Sequence, residues 1–167
     1  MTAAVPIACA AALAVLAGLA AAATSGGAPR LLVNESRSVP RGLYLRRDDL
    51  TPERGRLVAV RQPAGPAAAY LRGLGVPSDM RLLKRVAAVP GDAVCAWAGA
   101  LVTPKGAVPA PGRDRRGAPL PSWRGCRHLG AGELLVLGDT PRSFDSRFFG
   151  PLRLEQVDGV YVEVLRW

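Results

Sequence analysis

LLKRVAAVPGD, residues 82–92, sets a lysine in the middle of an apolar strand pattern and closes on a turn. Side chains alternate between the two faces of an extended strand, so Lys84 shares a face with Leu82, Val86 and Ala88 while Arg85 takes the other. Pro90, Gly91 and Asp92 end the run as turn residues. An ammonium on an apolar face must shed its proton, find a partner, or reach along its own methylenes to the rim of the sheet. Arginine never takes the first route in a protein, whereas burial lowers a lysine several units from about 10.4 and makes it a general base. Of 22 basic residues only Lys84 and Lys105 are lysines, leaving 22 − 2 = 20 arginines. Lys105 sits in TPKG, a turn, where a solvated charge is the plain reading. For Lys84 the pattern alone leaves the rim and the base both open.

Outward from this strand the chain continues in short extended pieces. LYLRR (43–47) and RLVAVRQ (56–62) read as strands on either side of the turn-rich DDLTPERG. GPAAAYLRGLG (65–75) is the one helix the body predicts, bounded by glycine at both ends. DAVCAWAGALV reads as strand, turn, strand; ELLVLGD (133–139) as a buried strand running into a loop; DGVYVEVLRW (158–167) as a final alternating strand. Residues 104–125 are rich in Pro, Gly and Arg without periodicity and predict a long surface excursion. Short strands, turns and little helix give a mainly β body.

Residues 3–24 carry no charge, and about 20 apolar residues suffice to cross a bilayer. Residues 1–25 are therefore expected to be a transmembrane anchor or a signal segment; small residues near the end of the run also suit cleavage. Arg30, Arg37, Arg41, Arg46 and Arg47 all follow the run, and by the positive-inside rule alone they would hold the body in the cytoplasm. The net charge is +9 with the basic residues scattered. Without a helix-turn-helix, zinc-finger or aromatic-interleaved motif it points to acidic membrane headgroups rather than nucleic acid. Cys9 lies in the apolar run, and Cys95 and Cys126 in the body pair in an oxidising compartment or stand as two thiols in a reducing one. No Cys/His cluster calls for a metal, and no cofactor motif is present.

Two further stretches carry hydroxyls. NESRSVPRGLY (34–44) sets Ser36 and Ser38 beside Pro40 and Gly42, which fix the backbone next to them. LGDTPRSFDSRFFGP (137–151) crowds Asp139, Ser143, Asp145, Ser146 and Arg147 after a strand, and on its own reads as a turn held by an Asp145–Arg147 ion pair. The single histidine, His128, lies in GCRHLGAG, a turn into a strand, so a serine nucleophile here would need another base, and lysine is the known alternative.

Taken in order, these stretches resemble the serine/lysine signal peptidases of bacteria, and most closely the TraF-type peptidases of conjugative transfer. The likeness runs through an apolar anchor, NxSxSxPxGLY, LLKRVxAxPGD and GD…SFDSRxFGP. SRSVP is one residue tighter than the SGSMxP of the general signal peptidases, which is the TraF-type form. The resemblance implies a signal-peptidase (LexA-related) β catalytic core over 26–167 with an accessory β excursion at 92–130. It makes Ser38 the nucleophile and Lys84 its general base. Ser36 adds a hydroxyl to an oxyanion hole completed by the Ser38 N–H, Ser143 hydrogen-bonds and orients the lysine, and Arg147 holds Asp145, the aspartate such enzymes need. It places the body on the periplasmic side of the inner membrane, against the arginine cue, where a Cys95–Cys126 disulfide is expected. The expected activity is a membrane-anchored serine endopeptidase without cofactor, and the expected partners are an exported precursor, such as a conjugative pilin, and membrane lipids. Alternatives are general signal-peptide removal from secreted preproteins, a non-catalytic exported β domain, and a LexA-like self-cleaving repressor, which would carry a DNA-binding domain where this chain has its apolar run.

Overall fold

The computed structural model describes residues 27–97 and 99–167. The anchor expected over residues 1–25 lies outside them, and among the described residues no helix is long and apolar enough to cross a membrane. Eleven strands form two antiparallel sheets among those residues. The larger sheet comprises β1 (Leu31–Asn34), β2 (Gly42–Arg47), β3 (Leu57–Val60), β4 (Leu82–Ala88), β9 (Glu133–Leu137), β10 (Leu152–Arg153) and β11 (Val157–Arg166). Its order is β1-β2-β11-β3-β4-β9-β10. The smaller comprises β5 (Ala93–Trp97), β6 (Gly99–Thr103), β7 (Gly106–Ala110) and β8 (Gly125–His128), in the order β7-β6-β5-β8. The body is mainly β, as the turn-punctuated sequence predicts.

The alternation read from residues 82–92 holds in the register as far as Val86; a bulge between Val86 and Ala88 then places Ala88 in a different cluster, off the face it was expected to share with Lys84. Lys84 stands opposite Val58 and Arg85 opposite Leu57, so neighbouring residues of β4 face different clusters. On one side Val58, Val60, Val86, Leu134, Val136 and Val160 form a buried cluster to which Leu82 adds; on the other, Leu83 packs with Val39, Tyr44, Leu57, Ala59 and Tyr161. A third cluster, with Ala88, Val94, Ala96, Leu101, Leu129 and Leu135, joins the small sheet to the large one. Between β5 and β8, Cys95 and Cys126 stand directly opposite and are linked by a disulfide.

Several local readings need correction. The sequence predicts no strand over 31–34, where β1 forms: LLVN is four residues long, only Asn34 is buried, and it ends at the serine stretch, leaving no alternation to detect. The expected irregularity of 104–125 holds only from 111 onward, because 106–110 form β7. That strand contains Pro109 and occupies a sheet edge, where the missing N–H costs no ladder bond. The expected helix is present as α1 (Pro66–Gly73), but a second, one-turn helix, α2 (Ser146–Phe149), follows Asp145, and a 3-10 turn spans Leu154–Gln156.

Candidate active site

The serine stretch is the connection between β1 and β2, and Asn34 organises it. Its amide Nδ2 donates to the carbonyls of Ser36 at 3.1 Å, Val39 at 3.1 Å and Pro40 at 2.8 Å. Its Oδ1 accepts from the Ser36 N–H at 3.2 Å and the Ser36 hydroxyl at 2.8 Å. One buried side chain thus fixes both ends of the loop that carries Ser38. Val39 sinks into the core beside it, and the Tyr44 hydroxyl donates to the Pro40 carbonyl at 2.7 Å. At Gly42 the backbone of β11 comes so close that a Cβ would strike the Leu165 carbonyl. Ser38 is left half-buried and Ser36 exposed at the tip of this corner. The Ser38 N–H points toward the Ser36 hydroxyl oxygen at 3.4 Å, which sets the two candidate oxyanion donors side by side.

Lys84 is 3% exposed on β4. Burial pushes its amine down to about 8; the carboxylates of Asp145 and Asp139 act in the opposite sense, and the Arg147 guanidinium adds to the fall. Among the described residues the amine has no salt-bridge partner.

Asp139, Asp145 and Arg147 of the third stretch lie close enough to act on this amine electrostatically. Asp145 is wholly buried and receives a two-pronged contact from Arg147, at 2.8 Å to Oδ1 and 2.7 Å to Oδ2. The Gly138 N–H donates to Asp145 Oδ2 at 2.9 Å, and the Arg147 N–H donates to Oδ1 at 3.2 Å, capping α2. Arg147 also donates to the carbonyls of Thr140, Pro141 and Ser143, at 3.0, 2.9 and 2.9 Å. With its oxygens committed in this way, Asp145 sets the loop's shape and the local field. Asp139 is paired with Arg85 through two bonds, and its N–H donates to the Ser38 carbonyl at 2.6 Å.

Gly138 is where the stretches meet. A Cβ there would overlap the Ser143 side chain and stand 2.8 Å from the Ser38 carbonyl oxygen. Ser143 Oγ is buried and has no hydrogen-bond partner, so the bond expected from it to Lys84 is not formed in this conformation. Catalytic hydrogen bonds in a free enzyme are commonly long and tighten when substrate binds. Arg37, Val39, Pro40 and Arg41 face Asp139 and Thr140 across a cleft of about 430 Å³ beside Ser38. His128 and Lys105 lie exposed on the small sheet, on β8 and in the β6–β7 turn. Asn34 and Gly138 received no role from the sequence, although Asn at the head of NxSxSxP is a residue that bonds its own backbone a few positions on.

The family model described as "Signal peptidase, peptidase S26" matches residues 1–167. Two proteins of Escherichia coli, each named plasmid transfer protein TraF, are similar along most of the chain. One is 32% identical over 161 residues, covering 89% of this chain and 89% of the relative. The other is 31% identical over 179 residues, covering 92% and 93%. A crystal structure of a signal peptidase I from Enterococcus faecalis V583 aligns at a TM-score of 0.39 and 22% identity, over 66% of this chain and 97% of that one, a likeness too slight to argue from.

Proposed function

The chain belongs to the signal peptidase S26 family, and from that premise we propose that it cleaves exported precursors with Ser38 as nucleophile and Lys84 as general base. The family implies a signal-peptidase-like serine peptidase acting on a protein precursor at the cell envelope. The observation that carries the finer assignment is the burial of Lys84 without an ion-pair partner, which makes its neutral form accessible near neutral pH. Ser38 Oγ attacks the scissile carbonyl carbon as its proton passes to Lys84 Nζ. The Ser38 N–H, freed from the Ser36 oxygen, and the Ser36 hydroxyl then donate to the oxyanion that forms, and such donors contribute about 3 kcal/mol each in comparable sites. Collapse breaks the C–N bond, Lys84 returns the proton to the leaving amine, and water attacks the acyl-serine by the same route in reverse. For Ser36 to donate, its hydroxyl must turn from Asn34 Oδ1 to the oxyanion, a rotation about one bond.

The precursor lies extended in the cleft between 37–41 and 139–140, and a conjugative pilin precursor is the leading substrate, in keeping with the plasmid-transfer relatives. Leu31, Val33, Leu45, Val164, Leu165 and Trp167 are all at least 40% exposed on or just past β1, β2 and β11, beside the serine corner. That apolar face suits contact with the bilayer into which residues 1–25 would insert, with the body on the periplasmic side. The test is cleavage of the pilin precursor by the full chain in lipid vesicles, read by mass. Ser38→Ala and Lys84→Met should each abolish the product while the circular dichroism of the body is kept; product formation by Lys84→Met would refute the dyad.

A further inference from the structure

A second cavity of about 300 Å³ is bounded by α1, the 111–120 loop and the 141–148 segment. Its floor is aromatic: Tyr70 of α1 stacks on Phe144 at 5.0 Å, and Phe144 stacks on Phe148 at 5.4 Å. Its walls are basic: Arg113, Arg115, Arg116 and Arg142 line it, and among the described residues none of the four has a carboxylate within salt-bridge distance. Asp114 is the one acidic residue in the lining, so the wall carries 4 − 1 = +3. Asp114 is already engaged by the Tyr70 hydroxyl at 3.0 Å and by the N–H groups of Arg116 at 2.8 Å and Ala118 at 2.9 Å. Four guanidinium groups around a stacked apolar floor form a cavity complementary to carboxylates borne on an apolar or aromatic body.

The two linings are neighbours along the chain: Asp139 and Thr140 line the cleft beside Ser38, and Pro141 and Arg142 line this cavity. We propose that the cavity bounded by α1, the 111–120 loop and the 141–148 loop is a second recognition site of the same peptidase, taking an acidic, apolar segment of the precursor polypeptide at a distance from the cut. The proposal rests on the peptidase reading. It assigns the long Arg/Pro-rich insertion a task in choosing substrate: its arginines pair with the carboxylates, and the aromatic floor buries the intervening side chain.

The test uses the full-length Ser38→Ala chain in nonionic detergent and two fluorescein-labelled peptides, ADFELA and its amide counterpart ANFQLA, followed by fluorescence anisotropy. The acidic peptide is expected to bind at least about tenfold tighter than the amide, with the preference removed by combining Arg115→Ser and Arg116→Ser and weakened by salt. In the chain with Ser38 intact, the same pair of substitutions should raise KM for an acidic precursor and leave kcat unchanged. Equal affinity for the two peptides overturns the proposal. So does a paired variant that loses adherence to phosphatidylglycerol vesicles while peptide binding is unaltered, which would make the surface a lipid contact. Because Ser38→Ala turns nothing over, failure of the binding arm leaves the nucleophile assignment standing, and failure of the nucleophile assignment leaves the binding arm readable.

Discussion

Lys84 and Asn34 do opposite things to the chain, and each can be tested alone. Burial lowers the Lys84 amine from 10.5 to about 8 in the fold, whereas the unfolded chain keeps the ordinary value. Between those two values the unfolded state binds more protons than the folded one, so stability rises with pH through the window and the burial penalty is greatest below it. The penalty at neutral pH is about 3 kcal/mol. Lys84→Met is therefore expected to melt higher than the parent near pH 7, with the advantage disappearing above about pH 10.5, measured by thermal denaturation across pH. With Lys84 as the proposed base, activity would follow the neutral amine, so kcat/KM should climb roughly tenfold between pH 7 and pH 9 and then level. A rate flat across that range would remove Lys84 as the base. Asn34→Ala breaks five hydrogen bonds of the serine corner; a loss of about 2 kcal/mol of stability is expected, with a kcat decrease of at least about a hundredfold and little change in KM. Lys84 was legible in the sequence because it is one of two lysines and sits in a clean alternation. The work of Asn34 was not, since its three carbonyl partners converge only after the loop has closed.

Among the elements, the turn from β9 into the 139–145 loop leaves no room for a side chain at Gly138. Gly138 has no positive φ demanding glycine; it is there because Ser143 and the Ser38 carbonyl occupy the space a side chain would need. Gly138→Ala should therefore separate the serine corner from the loop that holds Asp145. The expected cost is about 1–3 kcal/mol of stability and most of the activity, while Gly130→Ala, where a Cβ would meet only the end of Glu133 at 3.3 Å, serves as the tolerant control. Equal activity of the two variants would show that close approach at 138 is not needed. The strands flanking these loops were readable because apolar alternation is local. β1 and β7 were not, since one is four mostly exposed residues and the other carries a proline, and both are recruited as edges by neighbours already in place. The pairing of Asp145 with Arg147 was readable two residues apart; its grip on three loop carbonyls was not.

At the scale of the whole molecule, packing and a hydrogen bond tie the small-sheet region to the large sheet, and a disulfide links two strands within the small sheet. Ala88 and Leu135 of the large sheet share a cluster with Val94, Ala96 and Leu101 of the small one. The Trp123 indole N–H donates to the Ser146 carbonyl at 2.8 Å, so the 111–124 segment is fastened beside Asp145. The Cys95–Cys126 disulfide spans a sequence separation of 31 and closes that whole excursion. Closing a loop of this size stabilises by about 3–4 kcal/mol through the unfolded chain, equivalent to a melting-point change of roughly 10 °C for a body of this size. Cys95→Ser with Cys126→Ser, or the parent in dithiothreitol, is expected to melt lower by that amount. Trypsin should cut first among the arginines of 113–124, before Lys84 or Arg85 of β4, because the excursion is exposed and that strand lies in the sheet interior. Since Trp123 reaches Ser146, the change should also pass to the Asp145 loop as a lower kcat at temperatures well below the melting point. A reduced protein that melts lower but keeps its full kcat would show that the small sheet stabilises the fold without positioning the site, and would confine its part in the reaction to binding substrate.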